Sequence, residues 1–102
     1  MNYWAHITPA PDFEVLATTG QSQAATMVLP PNERIGGPNN HHEHADQWLY
    51  VLSGTGRAAV GDEAVELGPG ALVLIKAGEV HEISNLGDVA LETLNIYAPA
   101  AY

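Results

Sequence analysis

The stretch Gly36-Gly37-Pro38-Asn39-Asn40-His41-His42-Glu43-His44-Ala45-Asp46-Gln47 leads directly into the apolar run Trp48-Leu49-Tyr50-Val51-Leu52 and then Ser53-Gly54. Four side chains able to bind a metal ion stand at consecutive positions, 41 to 44, after a glycine-rich turn. The apolar run has the length and the aromatic and β-branched content of a strand. The stretch therefore predicts one half of a metal site at the entry to a β-strand.

The rest of the chain also has the pattern of short strands. Glycine and proline clusters divide it into segments of about four to eight residues, too short for ordinary helices. The predicted strands are Glu14–Leu16, Ala24–Leu29, Gln47–Leu52, Gly56–Val60, Glu63–Leu67, Ala71–Ile75, His81–Ser84 and Leu91–Tyr97. A hairpin turn is expected at Gly61-Asp62. The apolar residues within 12–19 also have helical spacing, so a helical turn is an alternative to a strand there. Regularly spaced short strands indicate one all-β domain over residues 1–102, an antiparallel sandwich or small barrel.

Composition excludes several classes of function. The 102-residue chain carries a net charge of −9, with twelve acidic residues against three basic ones, so it repels phosphate backbones and nucleic-acid binding is not expected. No cysteine is present, so any metal must use imidazole, carboxylate or amide ligands. No run of residues has the length of a membrane span, and the first residues do not resemble a signal peptide. A cytoplasmic location is the default expectation.

Strand alternation gives the His-rich stretch a geometry. Along Gln47–Leu52, Gln47 shares one face with Leu49 and Val51, because side chains alternate between the two faces of a strand. His42 and His44 are two residues apart and would project together from extended backbone, whereas His41 would point away. A polar residue that opens an apolar face is typical of a barrel mouth, where ligands bind.

A second histidine-bearing segment runs from Gly70 to Asn85. An apolar strand is followed by a turn at Gly78 and then by a strand that begins at His81. Taken alone, a single histidine after a turn is more often hydrogen-bonded or solvated than a metal ligand. Asn85 at the end of the segment is expected to form a turn.

Together the two segments resemble the cupin superfamily, whose first motif is G-x5-H-x-H-x3,4-E-x6-G and whose second is G-x5-P-x-G-x2-H-x3-N. Gly36, His42, His44 and Gly54 match the first motif, with Gln47 in place of the usual glutamate. The second motif is matched by a further four residues and has Lys76 in place of proline. Those four matches are Gly70, Gly78, His81 and Asn85. The resemblance covers motif regions 36–54 and 70–85 and implies an antiparallel double-stranded β-helix, or jelly-roll barrel.

The spacing within the first motif leaves the choice of histidines open. Only two residues separate His44 from Gln47, where the family has three or four. A four-residue gap makes His42 the second ligand, and a three-residue gap makes His41 the first. A bulge near Ala45-Asp46 could accommodate either register.

The resemblance implies a metal site formed by His42, His44, Gln47 and His81. Glutamine offers a neutral oxygen where a carboxylate is usual, so the ion would keep its full +2 charge and act as a stronger Lewis acid. The implied cofactor is a divalent transition metal such as Fe, Mn, Ni or Zn, and imidazole ligation does not choose among them. Glu43 or Glu82 is a candidate acid–base partner.

Fold resemblance alone does not fix an activity. One hypothesis is a metal-dependent isomerase, lyase or dioxygenase acting on a small hydroxy, keto, sugar-like or carboxylate molecule. A second is a binding module for such a molecule, and a third is a metal-free dimerisation scaffold. A homodimer is expected, because cupins commonly pair their barrels and Trp4, Trp48 and Tyr50 supply aromatic side chains for an interface.

Overall fold

A computed structural model of the chain describes residues 3–8, 12–36 and 42–102. Within these residues it contains nine strands and no helix. They are β1 (Asp12–Thr18), β2 (Gln23–Leu29), β3 (Arg34–Gly36), β4 (Asp46–Ser53), β5 (Gly56–Val60), β6 (Glu63–Leu67), β7 (Leu72–Ile75), β8 (His81–Ser84) and β9 (Leu91–Ala98). No helix in the described ranges is long and apolar enough to cross a bilayer.

The strands form two antiparallel sheets. One has five strands in the order β1-β2-β9-β4-β7, and the other has four in the order β3-β8-β5-β6. From β2 to β9 the chain crosses between the sheets at every connection except the β5-β6 hairpin, as in a jelly roll. The predicted all-β antiparallel class is therefore confirmed. The hairpin at Gly61-Asp62 is also confirmed, because Val60 pairs with Glu63 across it.

Two details differ from the expectation. Strand β3 was not predicted, because it has only three residues, all exposed, and therefore shows no alternation of apolar side chains. The helical alternative for residues 12–19 is wrong. Asp12–Thr18 pairs along β2 with a bulge between Val15 and Ala17, and this pairing supplies the backbone hydrogen bonds that a helix would have made locally.

The core lies between the inward faces of the two sheets. Its buried side chains are Met27, Leu29, Leu49, Val51, Ala58, Leu67, Ile83 and Leu91. Strand β9 is central to the larger sheet, and its buried side chains alternate in sequence, from Leu91 through Thr93 and Asn95 to Tyr97. Its inward face thus changes from apolar to polar along the strand. That polar end lies beside the entry to β4.

Two motif residues have structural roles. Gly54 adopts φ +86°, and a Cβ there would clash with the carbonyl oxygen of Ala90, so glycine is required at this position. Asn85 is fully buried. Its Nδ2 donates to the carbonyl oxygens of Leu29 and Val89, each at 2.8 Å, and its Oδ1 accepts from the Gly87 N–H at 2.9 Å. The turn-forming role expected for Asn85 is therefore confirmed.

Candidate functional site

The polar ends of the inward faces enclose a cavity of about 30 Å³. It is lined by Phe13, Met27, Ile35, His42, Gln47, Leu49, His81, Ile83, Asn95, Tyr97 and Tyr102. None of these is an aspartate, glutamate, lysine or arginine. The cavity thus combines imidazole, amide and phenol groups with an apolar floor.

The two halves of the predicted site meet in this cavity. The ring centroids of His42 and His81 are 5.4 Å apart, although the residues are separated by 39 positions in the chain (81 − 42). His81 opens β8 and is 6% exposed, whereas His42 lies in the loop before β4 and is half-buried. The structure brings together three of the four predicted metal ligands, namely His42, Gln47 and His81.

The Gln47 side chain is buried, with 4% exposure, and faces the cavity from the start of β4. Its Oε1 atom has no hydrogen-bond partner within the described part of the chain. A buried carbonyl oxygen without a partner costs roughly 1–3 kcal/mol, so native structures seldom retain one without a reason. A metal ion or a hydrogen-bond donor bound in the cavity would satisfy this oxygen.

His81 is held in a defined orientation. Its Nδ1 lies 3.2 Å from the backbone oxygen of Glu79, which can only accept a hydrogen bond, so Nδ1 carries the proton in this contact. A ring with its proton on Nδ1 has its lone pair on Nε2. A backbone carbonyl bound to the far nitrogen is the usual support for a metal-binding histidine.

His44 lies outside the cavity. Its side chain is 91% exposed, with Nε2 3.8 Å from Glu43 Oε2. These two residues and His42 line a separate surface depression of about 270 Å³, which Ala100 and Ala101 border on its other side. In the described ranges no three His, Cys, Asp or Glu side chains come together in a way that could hold a metal. His41 lies outside the described residues.

The candidate acid–base carboxylates also lie away from the cavity. Glu43 is 70% exposed, and Glu82 pairs with Arg34 on the outer surface at 3.7 Å. Trp48 and Tyr50 point outward from β4, and Arg57 is exposed on β5. None of these five side chains lines the cavity.

Two tyrosines that were not assigned from the sequence contribute to the site. Tyr97 is 2% exposed, and Tyr102 packs on it with ring centroids 5.2 Å apart. Burial raises the pKa of the Tyr97 phenol far above its usual value, and the neighbouring Tyr102 raises it further. Burial also raises the pKa of Tyr102. Both hydroxyls are therefore neutral hydrogen-bonding groups at neutral pH.

The side-chain alternation along Leu91–Tyr97 was enough to predict that Tyr97 lies on the inward face with Asn95. Both residues are an even number of positions from the buried Leu91 and therefore share its face of the strand. Tyr102 follows the last strand, where no periodicity applies. Its hydroxyl lies 3.4 Å from His42 Nε2. No pattern in the sequence signals this contact.

Comparisons with known proteins agree with the fold. The cupin domain family model matches residues 25–97. A crystal structure of a Bacillus halodurans protein is 30% identical, with a TM-score of 0.84, over 90% of this chain and 73% of that chain. A conserved Klebsiella pneumoniae protein with a double-stranded β-helix domain is 22% identical, with a TM-score of 0.83, over 100% and 94% of the two chains.

A Thermotoga maritima protein described as a predicted oxalate decarboxylase is 26% identical, with a TM-score of 0.78, over 86% of this chain and 79% of that chain. No curated protein matches the chain significantly in sequence. The family match spans well over half of the chain and includes both motif regions. The protein belongs to the cupin family.

Proposed function

We propose that the barrel binds a divalent transition metal through His42, Gln47 and His81, and that the bound ion holds a small oxygen-bearing molecule. The observation that carries this proposal is the unpartnered Gln47 Oε1, which is buried in the same cavity as the two imidazoles. Cupins commonly bind a metal, and the donor set here is chemically suited to one. The three donors are neutral, as a late first-row ion tolerates.

A metal in this site would supply Lewis-acid polarisation of a ligand oxygen, with its +2 charge unneutralised by the protein. The chain's own residues would orient the ligand. Tyr97, Tyr102 and Asn95 present neutral hydroxyl and amide groups to the cavity, which suit hydroxyl, keto or carboxylate oxygens. The apolar residues around them limit the access of water. These features support a hydroxy, keto, sugar-like or carboxylate ligand class.

Metal binding is tested by elemental analysis of the purified protein and by thermal melts with and without Mn(II), Ni(II) or Zn(II). An ion present at one hundred times its Kd stabilises the fold by about 2.7 kcal/mol. We expect this stabilisation in the wild type and its loss in His81→Ala and His42→Ala. Finding no metal and no shift with any of the ions would overturn the proposal and would favour a metal-free scaffold.

The position of His44 is tested in the same way. In the structure its imidazole is exposed, so the proposal does not rely on it as a ligand of the closed cavity. We expect His44→Ala to weaken metal binding less than His81→Ala does. An equal loss in the two variants would place His44 among the ligands.

We also propose that the protein forms a homodimer through the outer face of β4 and β7. Trp48 lies opposite Leu74, and Tyr50 lies opposite Leu72, so four large side chains form one apolar patch. Their exposures are between 37% and 60%. The patch carries no charge, so two copies can meet there despite the net charge of −9.

Sedimentation of the wild type should give a dimer, and Leu72→Glu should give a monomer. Val65→Glu is the matched control, because Val65 is an exposed apolar residue on β6 of the other sheet. Monomeric wild-type protein would contradict the dimer proposal without affecting the metal proposal.

A further inference from the structure

The cavity is too small for the ligands that the proposed function requires. A volume of about 30 Å³ holds about two water molecules. A hydroxy acid or a sugar has several times as many heavy atoms. A ligand of that size can enter only if one of the lining side chains moves.

Two of the side chains that line the cavity lie outside the sheets. Among the described residues eleven line it, and nine of these lie within strands, whose pairing holds their backbones in place. The other two, His42 and Tyr102, lie outside the strands and contact each other, with ring centroids 5.4 Å apart. Tyr102 is 62% exposed even though its ring packs on Phe13 and Tyr97. Its ring therefore covers the cavity from outside.

A single buried side chain holds this segment in place. Gln23 is 3% exposed, and its Nε2 donates to the backbone oxygen of Tyr102 at 2.8 Å and to Thr18 Oγ1 at 2.9 Å. Its Oε1 accepts from the backbone N–H groups of Ala101 at 3.2 Å and Tyr102 at 3.0 Å. Three of the four contacts go to the segment after β9, so the amide acts as a latch.

The same segment separates two spaces. Tyr102 lines the small cavity, while Ala100 and Ala101 border the depression of about 270 Å³ that His44 lines. His42 lines both spaces. The segment and His42 thus border both spaces, and the two volumes together are of the order of a small-molecule site.

We propose that residues 99–102 form a lid over the barrel mouth, latched by Gln23 and closed by the Tyr102 ring, which opens to admit the ligand. The inference rests on the proposed function in taking the cavity as the binding site. An ion or ligand that takes His42 Nε2 displaces the Tyr102 hydroxyl from it, so occupancy and opening are coupled. The lid segment is short and lies at the edge of the fold, where local opening costs least.

The absence of cysteine from the sequence makes opening measurable without any metal. Asn95→Cys places one thiol inside the cavity, and its rate of reaction with Ellman's reagent in metal-free buffer reports the open population. The reporter is combined with Tyr102→Ala, with Gln23→Ala and with Tyr102→Phe. Val51→Cys, fully buried and lining none of the described cavities, reports global unfolding in the same backgrounds.

We expect the Asn95→Cys thiol to react at least about tenfold faster with Tyr102→Ala, which removes the ring contacts of the lid, and with Gln23→Ala, which removes three hydrogen bonds to the lid. Tyr102→Phe keeps the ring and should stay within about threefold of the parent. The Val51→Cys thiol should react at least about tenfold more slowly than the Asn95→Cys thiol in every background, including Gln23→Ala, which also lowers global stability. Equal rates in all the Asn95→Cys backgrounds would overturn the lid, as would Asn95→Cys rates no faster than the Val51→Cys rates. Because the assay needs no metal, failure of the metal proposal is measured separately.

Discussion

Two glutamines flank Tyr97 on neighbouring strands. Replacing each of them by methionine should change the stability of the metal-free protein in opposite directions. Gln23 and Gln47 are each in register with Tyr97, one from β2 and the other from β4, and both are at least 96% buried. Gln23 makes four hydrogen bonds, whereas Gln47 Oε1 has no partner among the described residues. Methionine has a similar length and no amide, so it removes the polar groups with little change in volume.

The magnitudes follow from these contacts. The unpartnered Gln47 Oε1 destabilises the metal-free protein by about 1–3 kcal/mol, and Gln47→Met removes this cost. The substitution also removes at most one hydrogen bond from the amide N–H, which would stabilise the protein by about 1 kcal/mol. The metal-free protein should therefore become more stable by about 1 kcal/mol, which raises Tm by about 4–8 °C. Gln23→Met loses four hydrogen bonds at about 0.5–1.5 kcal/mol each. Water can replace those of the partly exposed lid, so we expect a loss near the lower limit of about 2 kcal/mol.

The assay is urea unfolding of EDTA-treated protein, followed by circular dichroism, with thermal melts as a second measure. The two variants should change the free energy of unfolding with opposite signs. Each serves as the control for the other, because both place a methionine at a buried position of a strand. If Gln47→Met destabilises as much as Gln23→Met, then Gln47 Oε1 is satisfied in solution. Gln47 would then not be kept in the cavity for a ligand.

Three other substitutions test separate parts of the account. Asn85→Ala leaves two carbonyl oxygens and one N–H without their partner and should cost about 3 kcal/mol in urea unfolding, whereas a loss below 1 kcal/mol would mean that the turn forms without it. Because the pKa of Tyr97 is raised in the folded protein, the unfolded state loses its phenol proton first. The contribution of Tyr97 to stability should therefore be constant below pH 10 and fall by up to about 1.4 kcal/mol per pH unit above it. Tyr97→Phe should flatten this fall in alkaline urea titrations, and an unchanged slope would assign it to other groups. Gln47→Glu restores a carboxylate to the cavity and should tighten Zn(II) or Mn(II) binding at least tenfold in calorimetry, the effect of about 1.4 kcal/mol of added attraction, while unchanged affinity would place the ion elsewhere.

Much of the fold could be predicted because its signals are local. Strands such as Gln47–Leu52 and Leu91–Tyr97 alternate between the core and the outer face, and glycine and proline mark their ends. The two motifs predicted the jelly roll because their glycines and Asn85 meet steric and hydrogen-bonding demands that few other residues satisfy. Gly54, packed against Ala90, is the clearest example. Strand β3 was missed because its pairing with β8 is purely a tertiary effect.

The lining of the cavity could be predicted only in part. His81 and Gln47 were predicted to share it, and both line it, because their strands fix which way they point. His44 was predicted from extended backbone, but the chain bends at residues 43 and 44 and turns its imidazole to solvent. Tyr102 and the Gln23 latch join positions 79 residues apart, a distance over which spacing carries no information. They could be recognised only from the structure.

Metal binding in the barrel is tested most directly by a crystal structure of protein grown with Mn(II) or Zn(II), with anomalous data collected on both sides of the metal's absorption edge. We expect one anomalous peak in the barrel, about 2.0–2.3 Å from an imidazole nitrogen of His42, an imidazole nitrogen of His81 and Gln47 Oε1. A peak bound by other residues, or a barrel without a peak in crystals grown with excess metal, would contradict the proposed metal site.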